Sequence, residues 1–510
     1  MASVRKSLVV SLLGSYLQIG LQLISYFVLA RLLTPSDIGL FSVASSVLAI
    51  AQVVREFGVS TYLIQEKHLT DNKIATAFTI TLLISISLFL LLFFVSPAIA
   101  AFYNDDHLID VFRLLSLNFL VIPLNSTSLS LLRREMNFVA IFWINAIGML
   151  VGLIIAVGFS WYGFGYYSLV FSSLGNSLAM AIAISFFRRG GLFHRLHLGE
   201  WRAVVHFGSQ VTLTSISNEL STSASDLILG RVLGFAATGI VSRAQGIMYL
   251  FHRDITSAIR NVAFPAFANA NRENKAIEYD YIKAVTILTV FAWPFYGVFS
   301  LFPVEALRLF FGPQWDAAGL LVPWFCAAGA VAASCSLIPV LLPALGGVKY
   351  LVKMHMIVDP LRVGAFAAAV YFFKTSEAFA ITFLVFFVFS TILLFYFKNK
   401  LLPTDYRMLF IGFFKSLAVS LFALSLPALI FAVIYLESSG YWQFNLRTDF
   451  AWLFKTANQP FLNEWLFVII GLLMLPCWLS ALILFRHPLA EEAFFKKLVK
   501  IGRRHDEASH

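Results

Sequence analysis

Residues 28–47 read VLARLLTPSDIGLFSVASSV, and residues 228–247 read ILGRVLGFAATGIVSRAQGI. Laid over each other without a gap, the two share Leu29/Leu229, Arg31/Arg231, Leu33/Leu233, Gly39/Gly239, Ser42/Ser242 and Ala44/Ala244. Each copy sets an arginine between two apolar runs and a glycine near the start of the second run. The chain therefore writes one helical hairpin twice.

Composition says where that hairpin sits. The 510 residues are 59% hydrophobic and only 13% charged, with a mean hydropathy of +0.83. Soluble domains carry about 25% charged residues, so this chain has too little polar surface for water. Helices of about 20 apolar residues cross a hydrocarbon core roughly 30 Å thick. Fourteen such spans are predicted, near residues 8–30, 38–60, 75–100, 111–131, 138–159, 163–186, 204–228, 237–259, 282–304, 317–343, 350–372, 376–397, 411–436 and 461–485. Runs such as ITLLISISLFLLLFFV do not alternate as barrel strands would. The spans are therefore helices, which satisfy their own backbone hydrogen bonds in lipid.

Basic residues supply an independent reading. With the N-terminus in the cytoplasm, 25 of the 37 Lys and Arg fall in predicted cytoplasmic segments. Six fall outside: Arg31, Arg231, Arg308, Lys374, Arg447 and Lys455. That asymmetry is the positive-inside pattern and places both termini in the cytoplasm. The net charge of +10 is thus mainly topological. The tail FFKKLVKIGRR reads as an interfacial anchor on an anionic leaflet, and no nucleic-acid partner is expected. No cleavable signal peptide is expected either, because the first apolar run is too long and lacks an A-x-A site.

Other candidates read plainly. Cys326, Cys335 and Cys477 all fall in spans and suggest neither a disulfide framework nor a metal site. Asp105–Asp106–His107 reads as a short solvated loop. The aromatics Tyr441, Trp442 and Trp452 of the loop 437–460 read as an interfacial belt. Phosphate-binding glycine motifs and H-E-x-x-H are absent, so no cofactor and no direct use of ATP are expected.

Six helices separate the two copies of the hairpin, so both copies run in the same direction. This is a parallel repeat about an axis along the membrane normal. The expected fold is an all-α integral membrane protein with two parallel-related six-helix bundles, residues 1–200 and 201–400. Two additional transmembrane helices follow over 401–490, then a basic cytoplasmic tail over 491–510. Gly39 is expected to let the second helix start close against a neighbour. A further echo supports the repeat: Arg55–Glu56 near the end of the second helix is matched by Arg253–Asp254 in the eighth.

The stretches ARLLTPSDIGLFSVA and REFGVSTYLIQ resemble the polysaccharide transporter (Wzx-type lipid-linked oligosaccharide flippase, WzxC-like) family of the multidrug/oligosaccharidyl-lipid/polysaccharide exporter superfamily. LILGRVLGFAATGIVSRAQGI, continuing to IRNVAFPAFA, is similar to that family's second-half signature. The resemblance implies translocation of an undecaprenyl-diphosphate-linked oligosaccharide across the bacterial inner membrane by alternating access. It names no particular glycan. Membrane lipids, H+ or Na+, and polysaccharide polymerase and chain-length proteins are the further partners in this reading.

A diphosphate crossing hydrocarbon needs cations and hydrogen-bonding groups around it, and a guanidinium grips phosphate bidentately. Ionisable residues inside spans mark pathways or coupling sites by default. Arg55, Arg243, Arg253 and Arg362 are the candidates for substrate binding, and Glu219 or Asp226 for coupling. Each has a structural alternative. Asp226 and Arg231 can pair, Asp359 and Arg362 can pair across one helical turn, and Arg55–Glu56 and Arg253–Asp254 can be self-contained pairs. Arg31 and Arg231 read as helix-end anchors. Glu219 and Arg243 are the hardest to explain structurally. The competing functions are a multidrug or cation antiporter of the same superfamily, and a membrane polysaccharide polymerase or transferase.

Overall fold

The computed structural model describes residues 18–187, 195–273, 276–439 and 464–491, and every described element is helical. Eleven stretches among the described residues are long and apolar enough to cross a membrane. Of the other three expected spans, those near 204–228 and 237–259 fall on helices too polar or too short to meet that measure, and the one near 8–30 lies partly outside the described residues. The loop 437–460 and the basic tail lie almost wholly outside the described residues. The chain is an all-α integral membrane protein, and it forms two compact units, Met1–Ser242 and Arg243–His510.

The first described helices of the first unit are α1 (Gln18–Leu32) and α2 (Pro35–Glu56). The turn between them follows directly from LTPSD. Thr34 caps α2 by accepting from the Asp37 amide at 3.2 Å, and Asp37 Oδ2 accepts from the Thr34 amide at 3.0 Å. Pro35 sits at the first helical position, where its missing N–H costs nothing. The other oxygen of Asp37 accepts from the Tyr166 amide at 3.1 Å, so one carboxylate organises two helix starts.

At its far end α2 stops on two consecutive left-handed residues, Phe57 (φ 41°) and Gly58 (φ 62°), before the short α3 (Val59–Gln65). Then follow α4 (Asp71–Tyr103), α5 (His107–Ser116), α6 (Asn118–Arg134), α7 (Phe138–Trp161), α8 (Tyr166–Phe187) and α9 (Trp201–Val232). Leu40, Ala44 and Leu48 of α2 pack on Phe112, Leu115 and Phe119 in one apolar core. Elsewhere the helices are joined by small and polar residues. Asn118 accepts from Ser177 at 2.7 Å, and Ser172 donates to the Gly152 carbonyl at 2.7 Å. Such contacts replace the hydrophobic drive that lipid cannot supply.

The tenth helix, α10 (Phe235–Tyr249), starts in the first unit and ends in the second. It runs through a π-helical segment, Leu250–Ile255, into α11 (Thr256–Arg272). The second unit continues with α12 (Ile277–Leu301), α13 (Pro303–Phe310), a 3-10 turn (Pro313–Leu320), α14 (Val322–Cys335) and α15 (Ile338–Ala344). It closes with α16 (Val348–Phe373), α17 (Ser376–Asn399), α18 (Tyr406–Ser439) and α19 (Glu464–Leu484).

Two polar knots fasten the second unit. Fully buried Lys398 of α17 donates to Glu278 of α12 at 2.5 Å and lies over the Tyr281 ring at 4.6 Å. Ser416 of α18 meets Thr289 of α12 at 3.0 Å and His487 at 3.1 Å. Trp478 of α19 donates to the Val290 carbonyl at 3.0 Å. α18 and α19 are thereby tied to α12.

Candidate functional site

In the first unit the site is built on α9. Residues 209–226 of this helix read SQVTLTSISNELSTSASD, in which 13 of 18 side chains are polar. A helix this polar within a membrane bundle must turn its groups to protein or to water. Asp226 faces α2, where its Oδ2 accepts from Ser42 at 3.0 Å and from Ser46 at 3.3 Å. Arg231, five residues on, does not pair with it. Its guanidinium lies 5.0 Å over the Phe102 ring instead, because residues five apart do not share a helix face. Glu219 Oε1 accepts from Ser223 at 2.9 Å, one turn along the same helix. Both carboxylates are therefore satisfied by hydroxyls and not by cations in the described contacts.

Arg55 is the buried cation of this unit. Its side chain is only 7% exposed, and among the described residues Nε and Nη1 have no hydrogen-bond partner. It occupies the last turn of α2, just before the left-handed break at Phe57. A buried guanidinium with donors left over can take an anionic oxygen. The neighbouring Glu56 is the nearest charge in sequence, and no hydrogen bond joins the two among the described residues.

The second unit carries the other candidates. Arg243 is 6% exposed and lies 5.2 Å over the Trp315 ring and 5.7 Å over Phe311. Both rings come from the α13 region and its 3-10 turn, where Arg308 grips Asp316 in a bidentate pair at 2.9 and 2.5 Å. A guanidinium this close to ring faces is held by cation–π attraction. On α16, Asp359 accepts a 3.7 Å ion-pair contact from Arg362 and lies 3.3 Å from His355. The expected pairing of Asp359 with Arg362 is thus present. Arg253 and Asp254 lie on the π segment, and their side chains are outside the described ones.

Sequence reading overlooked two features. One is the density of Ser and Thr on α9, visible as a break in the apolar run. The other is Arg260, one residue past the expected end of the eighth span. It lies inside α11, with its buried Nε unpartnered among the described residues. The continuous α10–π–α11 helix carries it beyond the expected end of the span at 259. Asp105 accepts from the His107 amide at 2.9 Å as an ordinary loop cap, and the three cysteines are free. No metal-ligand cluster occurs among the described residues.

The chain is a multi-pass helical membrane protein with cations and carboxylates set among its helices, and solved structures share its fold. The lipid II flippase MurJ in an inward closed conformation superposes with a TM-score of 0.70, covering 94% of this chain and 99% of that one at 13% identity. An inward-facing multidrug resistance MATE family transporter of the MOP superfamily gives 0.59, over 75% and 94% of the two chains at 15% identity. At such identities the likeness is one of fold.

The sequence places the chain more narrowly: a family described as polysaccharide biosynthesis protein matches residues 28–319, more than half of it, and the chain belongs to that family. The lipopolysaccharide biosynthesis protein WzxC of Escherichia coli K12 is 25% identical over 62% of this chain and 65% of its own length. The teichuronic acid biosynthesis protein TuaB of Bacillus subtilis 168 is 24% identical, over 58% and 62%. The succinoglycan biosynthesis transport protein ExoT of Rhizobium meliloti 1021 is 24% identical, over 58% and 60%. The matched region spans a little under two thirds of these relatives.

Proposed function

We propose that this chain translocates an undecaprenyl-diphosphate-linked oligosaccharide across the bacterial inner membrane by alternating access, for exopolysaccharide or lipopolysaccharide assembly. The observation that carries the reading is a buried cation with donors to spare, Arg55, in a chain of the polysaccharide biosynthesis family. Arg243, with rings behind its guanidinium, is assigned to the diphosphate or to an acidic sugar, and Arg253 and Arg362 to the same path. Relatives named for polysaccharide biosynthesis support this class of cargo, and the one named as a transport protein, ExoT, supports a transporter over an enzyme.

Coupling is assigned to Asp226, with Glu219 as the second carboxylate. Asp226 holds two serines of α2, and each O–H···O⁻ bond weakens when the carboxylate takes a proton. Proton binding would thereby loosen the α2–α9 contact. The same reading keeps both termini cytoplasmic. It keeps the repeat organisation 1–200, 201–400 and 401–490, and it places polymerase and chain-length proteins downstream.

The test is the sidedness of lipid-linked repeat units in cells depleted of the protein, read by mass spectrometry and an impermeant sugar-modifying enzyme. Complete units trapped on the cytoplasmic face are the expected result. Complete units that reach the periplasm and merely fail to polymerise would transfer the assignment to a polymerase. Unaltered units together with lost drug efflux would point to an antiporter.

A further inference from the structure

In the first third of α18 lies a lysine that the transport reading does not use. Lys415 is the tenth residue of this 34-residue helix, about 14 Å from its start at the α-helical rise. Its Nζ donates to the Arg486 carbonyl at 3.0 Å, just past the end of α19. An ammonium has three donors, and no carboxylate pairs with Lys415 among the described residues. The charge is therefore half-buried in an apolar helix with a carbonyl as its described partner.

Beside it runs a groove of about 720 Å³ lined by Trp293 of α12, Phe410, Phe413, Phe414 and Lys415 of α18, and Phe485 after α19. Lys415 is the one charged residue in that lining. Phe410 and Phe414 are 66% and 72% exposed, so this side of the groove is turned outward from the unit. On an apolar transmembrane surface the medium that fills such a groove is hydrocarbon. A cation at its wall adds an anionic head group to the requirement, since a charge at this depth needs a counter-charge.

We propose that this groove binds one acyl chain of an anionic glycerophospholipid, with the lipid phosphate on the Lys415 ammonium. A single lysine matches the single charge of a phosphodiester. A diphosphate carries more charge and suits a bidentate guanidinium better, which sets this site apart from the cargo path. The lipid would lie across α12, α18 and the end of α19, the three elements that the Ser416 knot already joins. Binding to the folded form alone stabilises it by mass action, so the C-terminal helices gain stability in anionic membranes.

The test uses the full chain purified in detergent, with native mass spectrometry and thermal unfolding as readouts. The probes are palmitoyl-oleoyl phosphatidylglycerol, the matching phosphatidylcholine and undecaprenyl monophosphate. Phosphatidylglycerol is expected to be retained about tenfold better than phosphatidylcholine and to raise the unfolding midpoint. Lys415→Gln should abolish that preference and Lys415→Arg should keep it. Ala418→Phe, which fills the groove and leaves the lysine in place, should also lose the retained lipid and covers the case in which Lys415→Gln fails to fold. Equal retention of the two phospholipids, or a preference that survives both Lys415→Gln and Ala418→Phe, overturns the proposal. So does undecaprenyl monophosphate displacing phosphatidylglycerol at equal concentration, which would give the groove to the carried lipid.

Discussion

Gly39 and Gly239, equivalent positions of the sequence repeat, face each other across the crossing of α2 and α10. A Cβ on Gly39 would stand 1.7 Å from the Phe235 carbonyl oxygen, and one on Gly239 would stand 2.0 Å from the Pro35 carbonyl oxygen. Pro35 and Phe235 are themselves equivalent, each four residues before its glycine. The contact is thus reciprocal. Backbones this close make Cα–H···O contacts that any side chain would forbid.

Gly39→Ala or Gly239→Ala should therefore push the two helices apart, since the clash is with backbone and no rotamer relieves it. Overpacking of this kind costs about 1–3 kcal/mol. Export measured by complementation should fall at least severalfold, whereas Gly364→Ala, where no atom lies within 4 Å of a new Cβ, should behave as wild type. Normal export by both Gly39→Ala and Gly239→Ala would remove the crossing from the mechanism.

Asp226→Asn keeps the shape of the side chain and removes its charge. If the carboxylate couples transport, export should drop roughly tenfold and lose its dependence on the proton gradient. The pair Ser42→Ala with Ser46→Ala leaves the charge but not its partners, and should instead lower stability by about 1.5–3 kcal/mol per charged hydrogen bond. Vesicle transport assays on the two variants separate the roles.

Arg243→Lys preserves the charge over Trp315 but gives up the planar fork. Substrate retention in detergent should weaken by about 1 kcal/mol or more, with Arg243→Gln worse than Arg243→Lys. Equal binding by wild type and both variants would reduce Arg243 to a packing residue.

The buried pair Lys398–Glu278 should show the asymmetry of desolvated charges. Removing one partner leaves an uncompensated charge and costs about 3–5 kcal/mol. Lys398→Met combined with Glu278→Gln should recover most of that loss. Thermal unfolding of the four proteins measures the cycle.

Burial pushes the His487 imidazole down to about 4, helped by the Lys415 charge. Its Nδ1 accepts from the Leu489 amide at 3.2 Å, which leaves the proton on Nε2 to meet Ser416. The ring is neutral in the fold and titrates near 6.5 when unfolded. Stability is therefore full above that value and falls as the pH drops from about 6.5 towards 4, by on the order of 3 kcal/mol. His487→Phe should flatten the pH dependence of the unfolding midpoint across this window.

Much of this was legible in the chain. The apolar runs located the spans because hydrocarbon tolerates little else, and Gly39 announced a close approach whose partner was already written in the repeat. The pairing of Asp359 with Arg362 followed from one helical turn. The partners of Asp226 did not, because Ser42 and Ser46 lie 184 and 180 residues away and only folding brings them together. That Arg260 lies inside a helix was not legible, because the π-helical segment Leu250–Ile255 carries the helix past the end of the apolar run.

That π segment has a consequence of its own. A π turn is an α-helix with one residue too many, and each residue of an α-helix advances the screw by about 100°. Everything downstream of Ile255 has therefore been dialled round by roughly that angle relative to a plain continuation of α10. Trimming one residue from LFHRDI would restore the ordinary screw and carry Arg260 to a different side of the helix, with every other residue of α11 in place in the sequence. The compass bearing of a whole helix is set here by a single extra amino acid.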